Sequence, residues 1–236
     1  MWAPYDPVSY FLHAGFGFLA VAGAVTALSV RKGSPLHRKG GWIFVVPMVV
    51  AAATALIFEL EFDEPRPLAV IMSVATLYLL ATSVLSLRNG WQYAPIVEKL
   101  LIVVPIALFA ISAMILYRSI QSASITQIPG PTLYASVFLS LLVGDLRLML
   151  NRPTDRLRWI KRHFFRMLLA FAFAIRAVFS FVFDTGLPFE VIVTAPLVLA
   201  LGATWYFFQK QGVLAERMRL SEANAAASGR SEQVVP

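Results

Sequence analysis

The chain contains no cysteine. Disulfide bonds, thiolate-bound metal ions and cysteine nucleophiles are therefore excluded. Charged residues are also scarce, at 14% of the 236 residues, whereas soluble globular domains average about 25%. Hydrophobic residues make up 58% of the chain, and its mean hydropathy is +0.72. This composition is typical of a protein that lies largely within a lipid bilayer.

Seven apolar segments are each long enough to cross a bilayer, whose hydrocarbon core of about 30 Å takes roughly 20 helical residues. The sequence therefore predicts an all-α transmembrane bundle of seven helices. The first segment is too long for a cleavable signal and runs straight into Arg31 and Lys32, so we expect it to remain in the mature protein. Residues 1–210 form the predicted bundle, and residues 211–236 are predicted to be a polar, disordered cytoplasmic tail. The predicted spans are 8–30, 42–60, 68–87, 96–117, 131–150, 163–183 and 189–208.

The loops between these spans alternate in charge. The first, third and fifth loops and the C-terminal tail are basic, whereas the N-terminal segment and the second and sixth loops carry acids. Lys and Arg stay on the cytoplasmic side during insertion, so we predict an inner-membrane protein of bacteria with its N-terminus outside and its C-terminus inside. The net charge of +7 follows from this pattern. It predicts contact with anionic lipid headgroups and not with nucleic acid.

Several residues predict local features of the helices. Pro47, Pro105 and Pro196 fall inside predicted spans and are expected to kink them. Small residues in the first helix predict a tight antiparallel hairpin with the second. Ser34 followed by Pro35 is typical of an N-cap and a first helical position, so the second helix is expected to begin there as an interfacial turn. Four tryptophans near membrane edges are expected to form an aromatic belt: Trp42, Trp91, Trp159 and Trp205.

The third predicted helix carries a polar face. These hydroxyls could line a path through the bundle, and interhelical hydrogen bonding explains them equally well. The residues are Ser73, Thr76, Tyr78, Thr82, Ser83 and Ser86.

Ionisable residues inside a predicted span are costly and mark candidate sites. At 1.5 Å per helical residue, His13 lies about 8 Å and Arg176 about 10 Å below the outer edge. Glu59 lies at the outer end of the second helix, so the three share compatible depths. We hypothesise a ligand-binding polar site open to the outside; the structural alternative is that Arg176 pairs with an acid of the second helix. The candidate residues are His13, Glu59 and Arg176, with Glu61 or Tyr10 as further members.

A second candidate cluster lies at the cytoplasmic side. His163 and Arg166 are three residues apart and share one face of the sixth predicted helix, and Asp145 is the expected partner of Arg166. Imidazole and guanidinium groups would suit an anion such as a phospholipid headgroup or a phosphorylated ligand. The alternative is a set of topological charges that contact anionic lipid. The candidate residues are His37, Arg38, Asp145, Arg162, His163 and Arg166.

Histidines also raise the question of a haem. His13 and His163 lie on opposite sides and cannot share an iron, whereas His37 and His163 could hold a b-type haem at the membrane edge. A zinc site would need a third ligand that the sequence does not identify, so no metal site is predicted. Retinal needs a lysine within the last helix, and the span 189–208 contains none, which excludes a rhodopsin.

The stretch Lys32–Gly41, after a Gly/Ala-rich helix opened by His13, resembles a family of bacterial multi-pass inner-membrane proteins of unknown function. Those proteins carry Lys-Gly-x-x-x-His-Arg-x-x-Gly between their first two helices. The run Trp159–His163, with Arg176 further on, is similar to a later segment of the same proteins. The resemblance implies a helical inner-membrane fold and supplies no activity. The resemblance favours a functional role for four residues as a set: His13, His37, Arg38 and Gly41.

The sequence thus favours a non-catalytic membrane protein that binds or passes a small ligand, or an accessory subunit of a larger membrane complex. Such a protein could act with a membrane partner or as a homo-oligomer. The alternative is a redox protein with histidine-bound haem or a quinone. An enzyme acting on lipid headgroups is a third possibility, but no nucleophile–base pair or metal triad supports it.

Overall fold

The structure, a computed structural model, describes residues 7–60, 67–88, 91–122, 128–152, 154–181, 188 and 191–210. Every regular element within these ranges is an α-helix, which confirms the predicted all-α class. The predicted tail 211–236, Glu61 and the side chain of Tyr10 lie outside the described residues. In chain order the helices are α1 Pro7–Ser29, α2 Pro35–Leu60, α3 Pro67–Leu87, α4 Ala94–Leu101, α5 Val103–Gln121, α6 Pro129–Leu150, α7 Arg156–Phe181 and α8 Val191–Lys210.

Within the described residues, six helical segments are long and apolar enough to cross a membrane, so the chain is a multi-pass helical membrane protein. α7 is not among the six, although its 26 residues extend for about 39 Å at 1.5 Å per residue. Six Lys and Arg residues along α7 lower its hydropathy. The six segments are Phe11–Ser29, Pro35–Leu60, Pro67–Leu87, Ala94–Gln121, Pro129–Leu150 and Val191–Lys210.

Two helices begin seven residues before the predicted spans. α2 begins at Pro35 and α7 at Arg156, whereas the corresponding spans were predicted from residues 42 and 163. Their first turns are helical but basic, so the apolar pattern starts later than the helix does. Ser34 confirms its predicted role as the N-cap, since its Oγ accepts a hydrogen bond from the His37 backbone N–H at 3.1 Å.

α1 and α2 form the predicted tight antiparallel hairpin. A Cβ atom on Gly23 would lie 2.6 Å from the Phe44 backbone nitrogen. One on Gly40 would lie 3.0 Å from the backbone nitrogen of Ala27 and the carbonyl oxygen of Gly23. The two backbones therefore approach as closely as glycine allows.

The turn between them is closed by hydrogen bonds to the end of α1. Gly33 adopts a left-handed φ of 81°, which favours glycine. Lys32 Nζ donates to the carbonyl oxygens of Leu28 at 2.8 Å and Ala27 at 3.1 Å. His37 Nδ1 lies 2.9 Å from the same Ala27 oxygen. Both side chains thus cap the C-terminal carbonyls of α1.

α3 is the central helix, with contacts to α2, α4, α5 and α7, while α6 packs on α5. α8 joins the bundle along its length: the Tyr134 hydroxyl donates to the Val193 carbonyl oxygen at 3.2 Å, and the Phe164 and Phe207 rings stack at 4.0 Å. Large apolar side chains fill the space between the helices. The fully buried ones include Leu79, Leu80, Phe138, Leu141, Leu169 and Leu197.

Pro105 lies just after a break in the fourth candidate span. Proline has no N–H to bond the carbonyl four residues earlier, that of Leu101, and Leu101 is the last residue of α4. Ile102 separates α4 from α5, although its φ of −62° and ψ of −27° are helical. α2 continues as one helix through Pro47. Kinks at the three prolines stay predictions.

The candidate membrane spans alternate in direction, so the bundle has two ends. We call the end where α1, α3 and α6 finish the basic end, and the other the opposite end. α4 and the first turns of α7 lie at the basic end.

A buried arginine–carboxylate cluster as the candidate functional site

Asp145 of α6 accepts hydrogen bonds from two neighbouring helices. Its Oδ2 accepts from the Tyr78 hydroxyl of α3. Its Oδ1 accepts from Nη2 of Arg166 and, at 3.1 Å, from Nη2 of Arg162, both on α7. The predicted pairing of Asp145 with Arg166 is thus confirmed. Because Tyr78 lies about 14 Å from the end of α3 at 1.5 Å per residue, this contact reaches well into the bundle.

Glu98 of α4 is the second buried carboxylate, with 7% of its surface exposed. Its Oε1 accepts from Arg162 Nη1 at 2.6 Å, and its Oε2 accepts from Nη2 of Arg152. Arg162 Nη1 also lies 3.1 Å from Ser86 Oγ. Arg162 therefore links both carboxylates. We call the connected residues the arginine cluster: Tyr78, Glu98, Asp145, Arg152, Arg162 and Arg166.

Aromatic rings hold the guanidinium groups from one side. Arg152 Cζ lies 5.6 Å and Arg162 Cζ 5.8 Å from the centroid of Trp159. Arg166 Cζ lies 5.2 Å from the centroid of Tyr78. All three distances are in the range of cation–π attraction. These contacts fix the side chains in addition to their ion pairs.

Trp159 is not a lipid-facing residue. It is only 4% exposed, whereas Trp42, Trp91 and Trp205 are 49%, 46% and 66% exposed. The prediction that Trp159 belongs to an aromatic belt was wrong, because its ring packs beneath Arg152 and Arg162 inside the bundle.

Positive charge exceeds negative charge in the cluster. Three guanidinium groups pair with two carboxylates. Arg162 Nε and Arg166 Nη1 are buried and have no hydrogen-bond partner among the described residues. Arginine carries five N–H donors and no acceptor, so protein carboxylates and hydroxyls satisfy it only in part here. The cluster can accept a further anionic group.

His163 and His37 lie beside the cluster. His163 Nδ1 is 2.8 Å from Ser83 Oγ, and that hydroxyl donates to the His163 carbonyl oxygen at 3.1 Å. The imidazoles of His163 and His37 are close enough to interact electrostatically. Arg38, by contrast, is exposed, and no described hydrogen bond or ion pair joins it to the cluster.

The polar face of α3 serves mainly for hydrogen bonding. Thr82 Oγ1 donates to the Tyr78 carbonyl oxygen at 2.6 Å, and Ser86 Oγ to that of Thr82 at 2.7 Å. Tyr78 and Ser83 bond across to α6 and α7. These contacts favour the interhelical explanation of this face over a path.

No group of three or more histidine, aspartate and glutamate side chains that could hold a metal ion occurs among the described residues. His37 and His163 each use Nδ1 in a hydrogen bond, and the chemistry of a haem ligand would fall to Nε2. Haem and quinone binding therefore stay predictions from the sequence.

The outer-side candidates are distributed over two parts of the bundle. His13 Nδ1 lies 3.1 Å from Thr54 Oγ1 of α2, and its ring meets the Phe58 ring edge-on. Glu59 is buried on α2, while Arg176 is buried on α7 and interacts electrostatically with Tyr134. No described hydrogen bond or ion pair joins His13 to Arg176. A shared site for this set stays a prediction.

Glu98 and Arg152 were missed as members of a site. In the sequence, Arg152 is one of several basic residues of the fifth loop, and nothing distinguishes it from the others. Glu98 carries a usable signal, since it is an acid at the end of the bundle where loops are basic. A buried acid at an end that is otherwise rich in Lys and Arg needs a nearby cation to balance its negative charge.

Comparison with protein-family models, with curated proteins and with solved structures finds no match. The fold and the cluster define a class nonetheless: a multi-pass helical membrane protein with a buried, net-positive polar cluster at one end.

Proposed function

We propose that this protein spans the bacterial inner membrane seven times, with α7 as the additional crossing, and binds a small anion at the arginine cluster from the cytoplasm. The basic loops support this orientation, because Lys and Arg are retained on the cytoplasmic side. The N-terminus is then outside and the C-terminus inside.

One observation carries the proposal: the cluster holds buried guanidinium N–H groups without acceptors. Arg162 Nε and Arg166 Nη1 are these groups. Leaving a buried donor unsatisfied costs about 1–3 kcal/mol, and the cost is higher in a membrane interior that holds no water. A bound oxyanion supplies the missing acceptors and neutralises the excess positive charge. Ion pairs within the protein alone explain neither the N–H groups without acceptors nor the excess positive charge.

A phosphate group fits the donors best. Arg162 and Arg166 on successive turns of α7, together with Arg152, place three guanidinium groups in one connected cluster. Arginine binds phosphate and carboxylate oxygens more strongly than lysine does, because its planar group forms paired hydrogen bonds. The phosphate could belong to a soluble compound or to a lipid headgroup.

The first prediction concerns Arg162. Detergent-solubilised wild-type protein should bind inorganic phosphate, and Arg162→Gln should weaken binding by about ten- to a hundredfold, the effect of losing a charged hydrogen bond of about 1.5–3 kcal/mol. Calorimetric titration measures both affinities. The fold should survive, since Glu98 keeps Arg152 and Asp145 keeps Arg166 and Tyr78.

Arg158→Gln is the matched control. Arg158 is exposed on the same helix, and its substitution removes the same charge. It should leave phosphate binding close to wild type. Equal binding by the Arg162 and Arg158 variants would contradict the proposed site, as would a wild-type protein that binds no phosphate.

The second prediction concerns orientation. Reporters fused to the two termini should report from opposite compartments, with the N-terminal one outside. An odd number of crossings requires this result, and α7 supplies the seventh crossing. Two termini in the same compartment would refute the seven-span arrangement.

A further inference from the structure

The Glu98 carboxylate occupies the position between the two most accessible guanidinium groups of the cluster. The exposed fractions of the side chains of Arg152 and Arg162 are 35% and 14%, against 3% for that of Arg166. Glu98 binds each of the two through a separate oxygen. An anion that enters from the basic end meets this pair of arginines first.

Both guanidinium groups have contacts besides the one with Glu98. Both lie over the ring of Trp159. Arg162 is held in addition by Asp145 Oδ1 and Ser86 Oγ, each at 3.1 Å. Removal of the Glu98 side chain would leave a preorganised pair of cations above a buried indole. Preorganisation of this kind favours binding, because little freedom remains to be lost.

Glu98 is carried by a short helix at the start of its span. α4 has 8 residues and ends at Leu101, and Ile102, which keeps helical dihedral angles, separates it from α5. Its outer face is exposed at Ile96 and Leu100. Sharp helix kinks occur mainly at proline, and Pro105 follows three residues after Ile102. Movement of α4 about Ile102 would withdraw Glu98 from the arginines.

We propose that the phosphate group of the ligand binds where the Glu98 carboxylate lies, between Arg152 and Arg162, and that Glu98 competes with it for this position. The inference rests on the proposed function and assigns its binding position. A phosphate has more oxygens than a carboxylate, so it can accept several hydrogen bonds from the two guanidinium groups at once. The hydrogen bonds to the phosphate thereby replace the ion pairs that Arg152 and Arg162 lose when Glu98 moves away.

The test is the affinity of Glu98→Gln for inorganic phosphate, measured by calorimetric titration of the full-length protein in detergent. Glutamine keeps the shape of the side chain and removes the competing charge. If the Glu98-paired form makes up about nine-tenths of the wild type, its removal should tighten binding by about tenfold. A purely structural Glu98 would give equal or weaker binding instead, and that result overturns the inference.

Asp155→Asn is the matched control for loss of a negative charge at the same end. Asp155 is exposed, and its Oδ1 accepts from the Leu157 backbone N–H at 2.8 Å, which asparagine also allows. Exposed charges are screened by salt, so this variant should bind phosphate as the wild type does. A gain equal to that of Glu98→Gln would overturn the inference.

Arg152→Gln keeps the inference testable if Glu98→Gln fails to fold. Arg152 is partly exposed, and its loss leaves Glu98 paired with Arg162. Phosphate binding should weaken by about tenfold, the effect of one charged hydrogen bond. Unchanged binding would overturn the assigned position. If neither the wild type nor any variant binds phosphate, the proposed function fails together with the inference.

Parallel measurements distinguish the source of the phosphate. Purified wild type and Glu98→Gln are compared for affinity to inorganic phosphate in solution, and for phosphatidate retained from mixed-lipid nanodiscs, measured by mass spectrometry. A gain with phosphate alone supports a soluble ligand, and a gain in retained phosphatidate supports a headgroup. If neither measurement shows a gain, Glu98 does not compete with the phosphate group, and the inference is overturned.

Discussion

Asp145→Asn should lower the free energy of unfolding by about 3–5 kcal/mol, the cost of breaking a buried ion pair from one side. Asp145 is 6% exposed and its partner Arg166 is 2% exposed. Asparagine keeps an acceptor for Tyr78 but no longer neutralises the guanidinium group. The charge of Arg166 would then be left deep between α3, α6 and α7. Unfolding of the purified protein in mixed micelles, followed by circular dichroism against added denaturing detergent, measures the loss.

The double variant Asp145→Asn/Arg166→Met tests the cause. Methionine removes the uncompensated charge and fills a similar volume with apolar atoms, and such replacements of a buried pair are often neutral or stabilising. Most of the stability lost in the single variant should therefore return. An equally unstable double variant would show that the loss arises from packing of Asp145 and not from the charge of Arg166.

Hydropathy and charge were sufficient to predict an all-α membrane bundle, because lipid imposes helices and long apolar segments on any chain that spans it. The apolar pattern alone begins later than α2 and α7 do, because their basic first turns continue the helix outside the apolar region. The start of α2 at Pro35 was predicted instead from the Ser34–Pro35 pattern. The apolar pattern also gave no warning that the fourth span divides into α4 and α5. Pro105, which has no N–H to bond the Leu101 carbonyl, lies three residues after Ile102, where the division falls.

The arginine cluster was predictable only in part. Asp145 and Arg166 stand out because each is an ionisable residue within a predicted span, and opposite charges inside a membrane pair. Glu98 joins the cluster because α4 packs against α3 and α6, and Trp159 contacts the cluster from the inward face of α7. Sequence gives the depth of a residue in a helix but not the neighbour that its side chain meets. For that reason Trp159 was taken for a membrane-edge residue.

Packing also changes the interpretation of the motif between the first two helices. Lys32, Gly33 and His37 close the turn after α1, so a structural role accounts for them. The glycine in close contact is Gly40, whereas Gly41 has nothing near its Cβ position. Gly41 was favoured from the motif spacing, but the close approach is at its neighbour.

Gly23→Ala should destabilise the protein by about 3 kcal/mol, at the upper end of the usual range for overpacking. The added Cβ would lie 2.6 Å from the Phe44 nitrogen and 2.7 Å from the Ile43 carbonyl carbon. Both are backbone atoms of α2, which cannot rotate away as a side chain can. Relief requires that α1 and α2 separate, which also lengthens the contact of His37 with the Ala27 carbonyl. Unfolding in mixed micelles measures the change.

Gly17→Ala is the matched control on the same helix, since nothing lies within 4 Å of its Cβ position. Alanine has the higher helix propensity, so this variant should be neutral or more stable by up to about 1 kcal/mol. The difference in the free energy of unfolding between the two variants separates the effect of the contact between α1 and α2 from the effect of alanine on α1 itself. Equal stability of the two variants would mean that α1 and α2 are not as close as Gly23 and Gly40 indicate. In that case the hairpin could not hold His37 beside His163 at the edge of the arginine cluster.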